Sequence, residues 1–262
     1  MDLDLSGKHA LVGGGSQGIG LAAAIELANL GADVTLLART PAKLDAALAK
    51  LPRPHAAQRH AVLSADSGDH AALRAVVEAL VRRQPVHILV NNSGGPPPGT
   101  LASATVEAFL DAYARHLLAN HILAETVLPG MKVAGYGRIV NVISTSVKQP
   151  IPGLGVSNTT RGAVASWAKT LAAEVAPFGI TVNNVLPGST HTPRIEEIID
   201  TRAAATGKSR NEIYAAMTHE IPMARFAEAA EVGNAIAFLA SPAASYITGI
   251  NVPVDGGRTS SL

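Results

Sequence analysis

The sequence contains no cysteine among its 262 residues, which excludes disulfide bonds, thiol nucleophiles and zinc–thiolate centres. No apolar run approaches the ~18 residues of a membrane-spanning helix. The formal net charge is only +1, without a basic run, so neither nucleic acid nor a membrane surface is an expected partner. The acidic start MDLDLSGKHALVGGG is unlike a signal peptide, so we expect a cytoplasmic location. No metal site is expected.

Short apolar runs alternate with longer stretches of helical spacing. The strand-like runs are His9–Val12, Val34–Leu37, Ala61–Leu63, Val86–Val90, Arg138–Ile143 and Ile180–Leu186. The helical stretches include Gly20–Leu30, Asp69–Arg83, Ser103–Leu118 and Thr160–Ala176. Strands that are apolar throughout are typical of a parallel sheet covered on both faces. The alternation predicts a single α/β domain over residues 1–262, with a doubly wound, mainly parallel sheet and helices on both faces.

One long region, Thr190–Pro222, shows no strand pattern. Ordinary connections in such folds have about 4–6 residues. An insertion near the carboxyl ends of late strands usually covers a ligand, which favours a substrate lid at about 190–222. The alternative is a plain surface excursion.

The glycine-rich segment LVGGGSQGIGLAAAIELANLGADVTLLART is typical of a dinucleotide site. A strand precedes its glycines, a helix follows them, and a second strand ends near residue 38. Glycines allow the backbone to approach a pyrophosphate, and the helix N-terminus supplies N–H donors and positive potential. The alternative is a tight turn without a ligand.

Arg39 follows the second strand, where NAD-selective folds usually have a carboxylate for the ribose 2′-hydroxyl. A guanidinium suits a 2′-phosphate instead, so the sequence favours NADP(H), with NAD(H) as the alternative. Two observations keep that alternative open: Gln17 in the glycine turn is uncharged, and Arg39 could simply be an exposed residue leading into a helix.

Taken together, the ordered motifs resemble the classical short-chain dehydrogenase/reductase family over nearly the whole chain, and its 3-oxoacyl-acyl-carrier-protein reductases in particular. The matching segments are Gly14–Gly20, Ala65–Asp66, Asn91–Gly94, Gly137–Ser144, Leu186–Gly188, Thr192–Pro193 and the C-terminal FLASPAASYITGINVPVDGG, which ends at Asp255–Gly257. The resemblance implies a Rossmann fold and an oxidoreductase of carbonyl or alcohol substrates. The implied cofactor-binding residues are Gly14, Ser16, Gln17, Gly18, Ile19, Gly20, Arg39, Asp66, Asn92, Ser93, Gly94, Arg161, Pro187, Gly188 and Thr190.

The implied catalytic group departs from the family pattern of Asn, Ser, Tyr and Lys. Ser144 matches the serine, but Ser157 occupies the tyrosine position and Arg161 the lysine position four residues later. Counting back from Leu128-Pro129 places His116 at the asparagine position. Helical spacing puts Ser157 and Arg161 on one helix face.

These changes alter the chemistry unequally. Arg161 keeps a permanent charge and several donors for ribose hydroxyls, but it does not relay protons easily. A serine hydroxyl at position 157 is shorter than a phenol and a much weaker acid. His116 could donate the missing proton, directly or through water, or it could be a packed histidine bonded to the backbone. His121 and His191 are weaker candidates for this role, and His191, on the predicted lid, could touch the substrate or simply be solvated.

Three functional hypotheses follow. The first is an NADP(H)-dependent oxidoreductase of a small carbonyl or alcohol compound, an acyl thioester being one candidate, with a non-standard catalytic group. The second is a catalytically silent dinucleotide-binding protein, a sensor or scaffold. The third, a non-redox enzyme on the same fold, ranks last because the cofactor motifs are retained. The resemblance also implies a homotetramer or homodimer. Val164, Leu171 and Val175 could line an apolar helix face at an interface or in the core.

Overall fold

Seven parallel strands form the central sheet of the computed structural model, which describes residues 1–261, and they lie in the order β3-β2-β1-β4-β5-β6-β9. The strands of the chain are β1 (His9–Gly13), β2 (Asp33–Ala38), β3 (Ala61–Ser64), β4 (Ile88–Asn91), β5 (Gly137–Val142), β6 (Ile180–Pro187), β7 (Thr190–His191), β8 (Ala227–Glu228) and β9 (Asn251–Val254). The helices are α1 (Gly18–Asn29), α2 (Pro41–Leu48), α3 (His70–Val81), α4 (Val106–Tyr113), α5 (Ala119–Ala134), α6 (Gly155–Val175), α7 (Pro193–Thr206), α8 (Arg210–His219) and α9 (Ala229–Ala240). The predicted doubly wound parallel fold is confirmed.

A row of asparagine side chains fixes the register of four neighbouring strands. Asn91 donates to Asn141 at 2.8 Å, Asn141 donates to Asn184 at 2.9 Å, and Asn184 donates to Asn251 at 2.8 Å. These residues are also the aligned pairs of β4, β5, β6 and β9. A slip of one residue would turn each amide away from its partner, so the row specifies a single alignment of the carboxyl half of the sheet.

Two apolar clusters cover the two faces of the sheet. One packs α1 and α9 against the strands, and the other packs α3, α5 and α6 against them. Val175 is part of the second cluster, Leu171 packs against it, and Val164 is completely buried beside Ile143 and Leu186. The apolar residues predicted on α6 therefore belong to the core.

Two predicted segments differ from the structure. The predicted helix over 103–118 is interrupted after a short 3-10 turn that ends at Ser103, and it extends well beyond Leu118. Helix α4 begins at Val106, continues through a π-helical turn at Ala114–Leu118 and joins α5. The region 190–222 contains a strand after all, because Thr190–His191 pairs with Ala227–Glu228. Two residues give no readable periodicity, so this pairing could not be recognised from sequence.

Among the described residues, none of the helices combines the length and hydropathy that a membrane span requires. Within residues 1–261 there is also no cluster of three His, Asp or Glu side chains placed to hold a metal ion.

Candidate active site

A cleft of ≈ 700 Å³ opens at the carboxyl ends of β1, β4, β5 and β6. Ligands of open parallel sheets bind at this edge, where the strand order reverses on either side of β1 and β4. The cleft is lined by all the predicted site residues except Gly20 and Asp66. Elements distant in sequence thus meet at one site, whose lining includes both the glycine turn and the four residues Ser144, Ser157, Arg161 and His116.

The glycine turn has the shape that a dinucleotide requires. Gly14 and Gly18 both have φ of +56°, a left-handed conformation that disfavours other residues. A Cβ on Gly14 would lie 2.5 Å from Asn92 Nδ2, and one on Gly20 would lie 2.3 Å from the Gly14 carbonyl oxygen. Gly20 therefore packs directly against the Gly14 carbonyl group. The Asn92 amide donates to the Gly13 oxygen at 3.2 Å and so holds the turn against β4.

Arg39, at the end of β2, lines the far end of the cleft and is 70% exposed along its side chain. Asp66 lies 3.8 Å from Arg39 and 2.7 Å from Arg115. The Gly68 N–H, together with Arg115 and Arg39, keeps the pKa of Asp66 below its ordinary value, so the carboxylate is ionised. Its neighbours Ala65 and Ser67 line the cleft, whereas Asp66 itself braces the two arginines.

Three cleft-lining cations, Lys43, Arg115 and Arg194, were not named by the sequence analysis, although Arg194 lies within the predicted lid. Lys43 lies in the first turn of α2. The one signal that could have identified it is its position four residues after Arg39. Arg115 comes from the π-helical turn, and its place beside Asp66 depends on packing between distant segments.

Ser144 follows β5, where its Oγ accepts a hydrogen bond from the Ser146 N–H at 3.1 Å. The hydroxyl proton of Ser144 can therefore be donated to a ligand. Ser157 and Arg161 lie one turn apart on α6 and both line the cleft, as their spacing predicts. The structure thus brings the serine and both replacement residues together.

Arg161 is buried, with 8% of its surface exposed. Its Nη1 donates to the Val142 carbonyl oxygen at 3.0 Å. Burial lowers the pKa of Arg161 to about 10, which leaves the guanidinium charged near neutral pH. The charge therefore sits at the base of the cleft, next to the two serines.

His116 is buried in the π-helical turn, where it shares a 2.7 Å hydrogen bond between its Nδ1 and Ser93 Oγ. Such turns interrupt helices frequently at functional sites. Burial, then the charges of Arg161 and Arg115, lower the pKa of His116 to about 3. The ring is therefore neutral near pH 7, because a protonated ring would be desolvated beside two cations. The role of His116 as a proton donor stays a prediction that this environment does not favour.

The other two histidines lie outside the cleft. His121 is exposed and places its ring edge-on to Trp167, with centroids 6.4 Å apart. His191 stacks on Tyr214 and lies 5.3 Å from the Phe226 ring, centroid to centroid. Neither is among the residues that line the cleft, so the roles suggested for them stay predictions without support from its geometry.

The region 190–222 contributes Thr192, Arg194, Ile195 and Ile198 to the cleft wall. Arg194 donates to the Pro96 carbonyl oxygen at 3.4 Å, which joins the start of α7 to the loop after β4. A Cβ on Gly18 would lie 3.3 Å from Thr192 Cγ2, so the same segment also rests on the glycine turn.

Comparison with known proteins identifies the family. Residues 14–259 match the family model described as enoyl-(acyl carrier protein) reductase. The chain belongs to the short-chain dehydrogenase/reductase family. Within this family, the chain is 36% identical over 258 residues to glucose 1-dehydrogenase from Gluconobacter oxydans, a match that covers 97% of this chain and 92% of the relative.

Two solved structures of family members are similar over almost their whole length. L-Sorbose reductase from Gluconobacter frateurii, complexed with NADPH and L-sorbose, has a TM-score of 0.93 at 33% identity, with full coverage of both chains. A variant of the actinorhodin polyketide ketoreductase with NADPH has a TM-score of 0.89 at 32% identity, covering 97% of each chain. The predicted family and its likeness to 3-oxoacyl reductases are confirmed.

Proposed function

We propose that the protein is an NADP(H)-dependent oxidoreductase that interconverts a carbonyl compound and its alcohol. The observation that carries this proposal is the continuity of one cleft, which extends from Arg39 and Lys43 across the glycine turn to Ser144, Ser157 and Arg161. A dinucleotide lying along it would place its adenosine phosphate beside the two outer cations and its nicotinamide beside the two serines. The left-handed glycine turn and the N-terminus of α1, both at the cleft, fit a pyrophosphate, because a helix N-terminus supplies N–H donors and positive potential.

The preference for NADP(H) rests on charge. Arg39 and Lys43 line the end of the cleft where the ribose 2′-position would lie, and Asp66 faces Arg115 and Arg39 instead of the cleft. A 2′-phosphate would gain charge-assisted hydrogen bonds from these two cations. The NADPH complexes of L-sorbose reductase and of the ketoreductase support this assignment.

When bound, NADPH supplies a hydride, so that a carbonyl compound, NADPH and one proton become an alcohol and NADP⁺. Ser144 donates its hydroxyl proton to the carbonyl oxygen as a hydrogen bond. Arg161 provides fixed positive charge for the alkoxide that develops on this oxygen. Since His116 is neutral and a serine hydroxyl is a weak acid, we propose that water from the open cleft delivers the proton.

A screen of ketones, aldehydes and acyl thioesters for consumption of NADPH tests this function, with cofactor binding measured separately by the change in NADPH fluorescence. Turnover of any carbonyl substrate supports it. Cofactor binding without turnover of any of these carbonyl compounds would contradict the proposed oxidoreductase function.

The alternative is a catalytically silent dinucleotide-binding protein, and the neutral His116 and the serine at position 157 favour it. Under this alternative the cofactor raises the melting temperature without turnover. The double variant Ser157→Tyr with Arg161→Lys, which restores the family's usual pair, would then raise activity from nothing. If the wild-type protein is more active than this variant, the silent alternative is excluded.

We also propose that residues 190–222 act as a lid over the substrate and that the protein forms a homotetramer or homodimer. The lid is supported by the residues that α7 and the segment before it contribute to the cleft wall. Assembly is supported by exposed apolar side chains on and beside α4, namely Leu101, Val106, Leu110 and Leu118. Light scattering after size exclusion tests the assembly. A cytoplasmic location remains a prediction.

A further inference from the structure

The charges that line the cleft are strongly biased. Five lining side chains are cationic, whereas Asp111 is the acidic one among them, although the chain as a whole has a net charge of only +1. The cationic side chains are Arg39, Lys43, Arg115, Arg161 and Arg194. The cleft therefore suits ligands that carry negative charge, and the position of each cation shows which part of a ligand would carry it.

Most of these arginines are already compensated by protein carboxylates. Arg115 pairs with Asp66 at 2.7 Å and with Asp111 at 2.8 Å, Arg39 lies 3.8 Å from Asp66, and Arg194 pairs with Glu197 at 3.3 Å. Lys43 is exposed to solvent. Within residues 1–261, Arg161 has no carboxylate partner, so the uncompensated buried charge lies at the substrate end.

A second buried arginine, Arg138, has hydrogen-bond acceptors that the protein itself supplies. Arg138 is also without a carboxylate partner in the described part of the chain, but it donates to three carbonyl oxygens, those of Gly137, Gly179 and Ser241. Its guanidinium also stacks on the Tyr136 ring at 4.2 Å. Arg138 needs no ligand, because the protein supplies its acceptors.

Arg161 has a single protein acceptor, the Val142 carbonyl oxygen, among the described residues. A guanidinium carries five N–H donors in a planar fork that matches a carboxylate. Its Nη2 faces Gly95, where a Cβ would lie 3.7 Å away, so the loop leaves space on that side. Nearby His116 is neutral, and burial lowers the pKa of Arg161 to about 10, so within residues 1–261 no anion offsets the cost of burying this cation.

Cofactor binding alone does not supply the missing charge. Ribose hydroxyls can accept hydrogen bonds from Arg161, but they are uncharged, and the phosphates would lie at the glycine turn, at the other end of the cleft. We infer that the substrate is an oxo acid, or the corresponding hydroxy acid, whose carboxylate binds the free edge of the Arg161 guanidinium beside Ser144. This inference rests on the proposed oxidoreductase function and adds the class of its substrate.

Binding of an unreactive pair of probes tests the charge requirement. Benzoate and benzamide have the same shape, but only benzoate is an anion. We expect benzoate to bind the NADP⁺-saturated protein roughly 30-fold or more tightly than benzamide in calorimetric titrations, because it completes a buried charge pair. Equal affinities for the two probes would overturn the inference, even if the protein binds NADP⁺ and reduces carbonyl compounds.

Variants locate the effect at Arg161. Arg161→Met should weaken benzoate binding roughly 30-fold or more and leave benzamide binding unchanged, whereas Arg161→Lys, which keeps the charge but loses the fork, should fall in between. Arg83→Met, an exposed arginine at the end of α3, is the matched control and should bind benzoate like the wild type. Each variant is first shown by circular dichroism to be folded and by fluorescence to be saturated with NADP⁺. Undiminished benzoate binding by folded Arg161→Met would overturn the inference.

Turnover gives an independent readout. Acetoacetate should be reduced with a kcat/KM roughly 30-fold or more above that of its methyl ester, since the ester lacks the charge that Arg161 requires. A higher kcat/KM for the ester would overturn the oxo-acid assignment while leaving the oxidoreductase function intact. A failure to bind NADPH at all would instead contradict the proposed function itself.

Discussion

The strands of the central sheet have a buried histidine and a buried arginine near their amino ends, here called the amino edge, and another such pair near their carboxyl ends, here called the carboxyl edge. The two pairs differ in how many hydrogen-bond partners the protein gives them. At the amino edge, His9 Nε2 lies 2.8 Å from Thr35 Oγ1 and its Nδ1 lies 3.1 Å from the Pro85 oxygen, while Arg138 donates to three carbonyl oxygens. At the carboxyl edge, the described residues give His116 one partner, Ser93, and give Arg161 one carbonyl acceptor.

Burial of a polar group therefore does not by itself mark a functional site in this protein. His9 and His116 both have a pKa lowered mainly by burial, and both arginines are buried. What distinguishes the carboxyl edge is that its donors are left partly unpaired at a cleft. Only a ligand can offset the desolvation cost of these donors, whereas the buried donors at the amino edge already have hydrogen-bond partners in the folded protein.

The largest expected effect follows from removing the unpaired charge. Arg161→Met should lower kcat/KM for the preferred substrate by about 10²–10³-fold, as for loss of a main stabiliser of developing negative charge. The melting temperature should change little, because only one carbonyl oxygen loses its partner. Steady-state kinetics of the folded variant measure the effect. A loss of less than tenfold would mean that Arg161 is structural like Arg138.

Arg138→Met should show the opposite pattern. Three buried carbonyl oxygens lose a charge-assisted donor, so we expect the free energy of unfolding to fall by about 3 kcal/mol. The kcat of the molecules that remain folded should be close to that of the wild type. Urea denaturation gives the stability, and an activity titration of folded protein gives the kcat. A stable but inactive Arg138→Met protein would contradict the comparison.

Acid should destabilise the protein through both edges. His116 has a folded-state pKa of about 3 against an ordinary value of 6.5, so below pH 6.5 the unfolded chain takes up a proton that the folded one refuses. The free energy of unfolding then falls as the pH drops from about 6.5 towards 3, by about 2 kcal/mol at pH 5 for this residue. His9, whose pKa is also lowered, acts in the same direction.

Denaturation curves between pH 7 and pH 5 measure this dependence. In His116→Gln the free energy of unfolding should fall less steeply with decreasing pH. Its slope against pH should correspond to about one proton less taken up on unfolding, whatever the stability of this variant at pH 7. An unchanged slope would show that His116 is protonated in the folded protein and would reopen an acid role for it.

The smallest effect is expected at the exposed end of the cleft. Replacing Arg39 and Lys43 together by Ser and Ala should weaken NADPH binding about tenfold and leave NADH binding nearly unchanged, because both cations are solvated and screened by salt. Lys50→Ala, at an exposed position just after α2, is the control. Equal losses for both cofactors would argue against a 2′-phosphate site.

The sequence predicted what depends on local pattern. The first six strands of the central sheet were located to within about two residues, because parallel strands buried on both faces are apolar throughout. The edge strand β9 and the short strands β7 and β8 were not predicted. Ser157 and Arg161 share a helix face because helical spacing is regular. The missed features depend on tertiary packing. The pKa of His116 is set by burial and by two arginines, and the place of Arg115 is set by Asp66, on a different segment of the chain.

The position of Thr192 opposite the glycine turn has a kinetic consequence. Thr192 leads into α7, and its Cγ2 would lie 3.3 Å from a Cβ built on Gly18, in the turn that would hold the pyrophosphate. Arg194, two residues later, is hydrogen-bonded to the Pro96 carbonyl oxygen, so the start of α7 would cover a nucleotide bound in this turn. We therefore expect an ordered reaction in which the nucleotide binds first and departs last, and in which its departure limits the rate of each cycle.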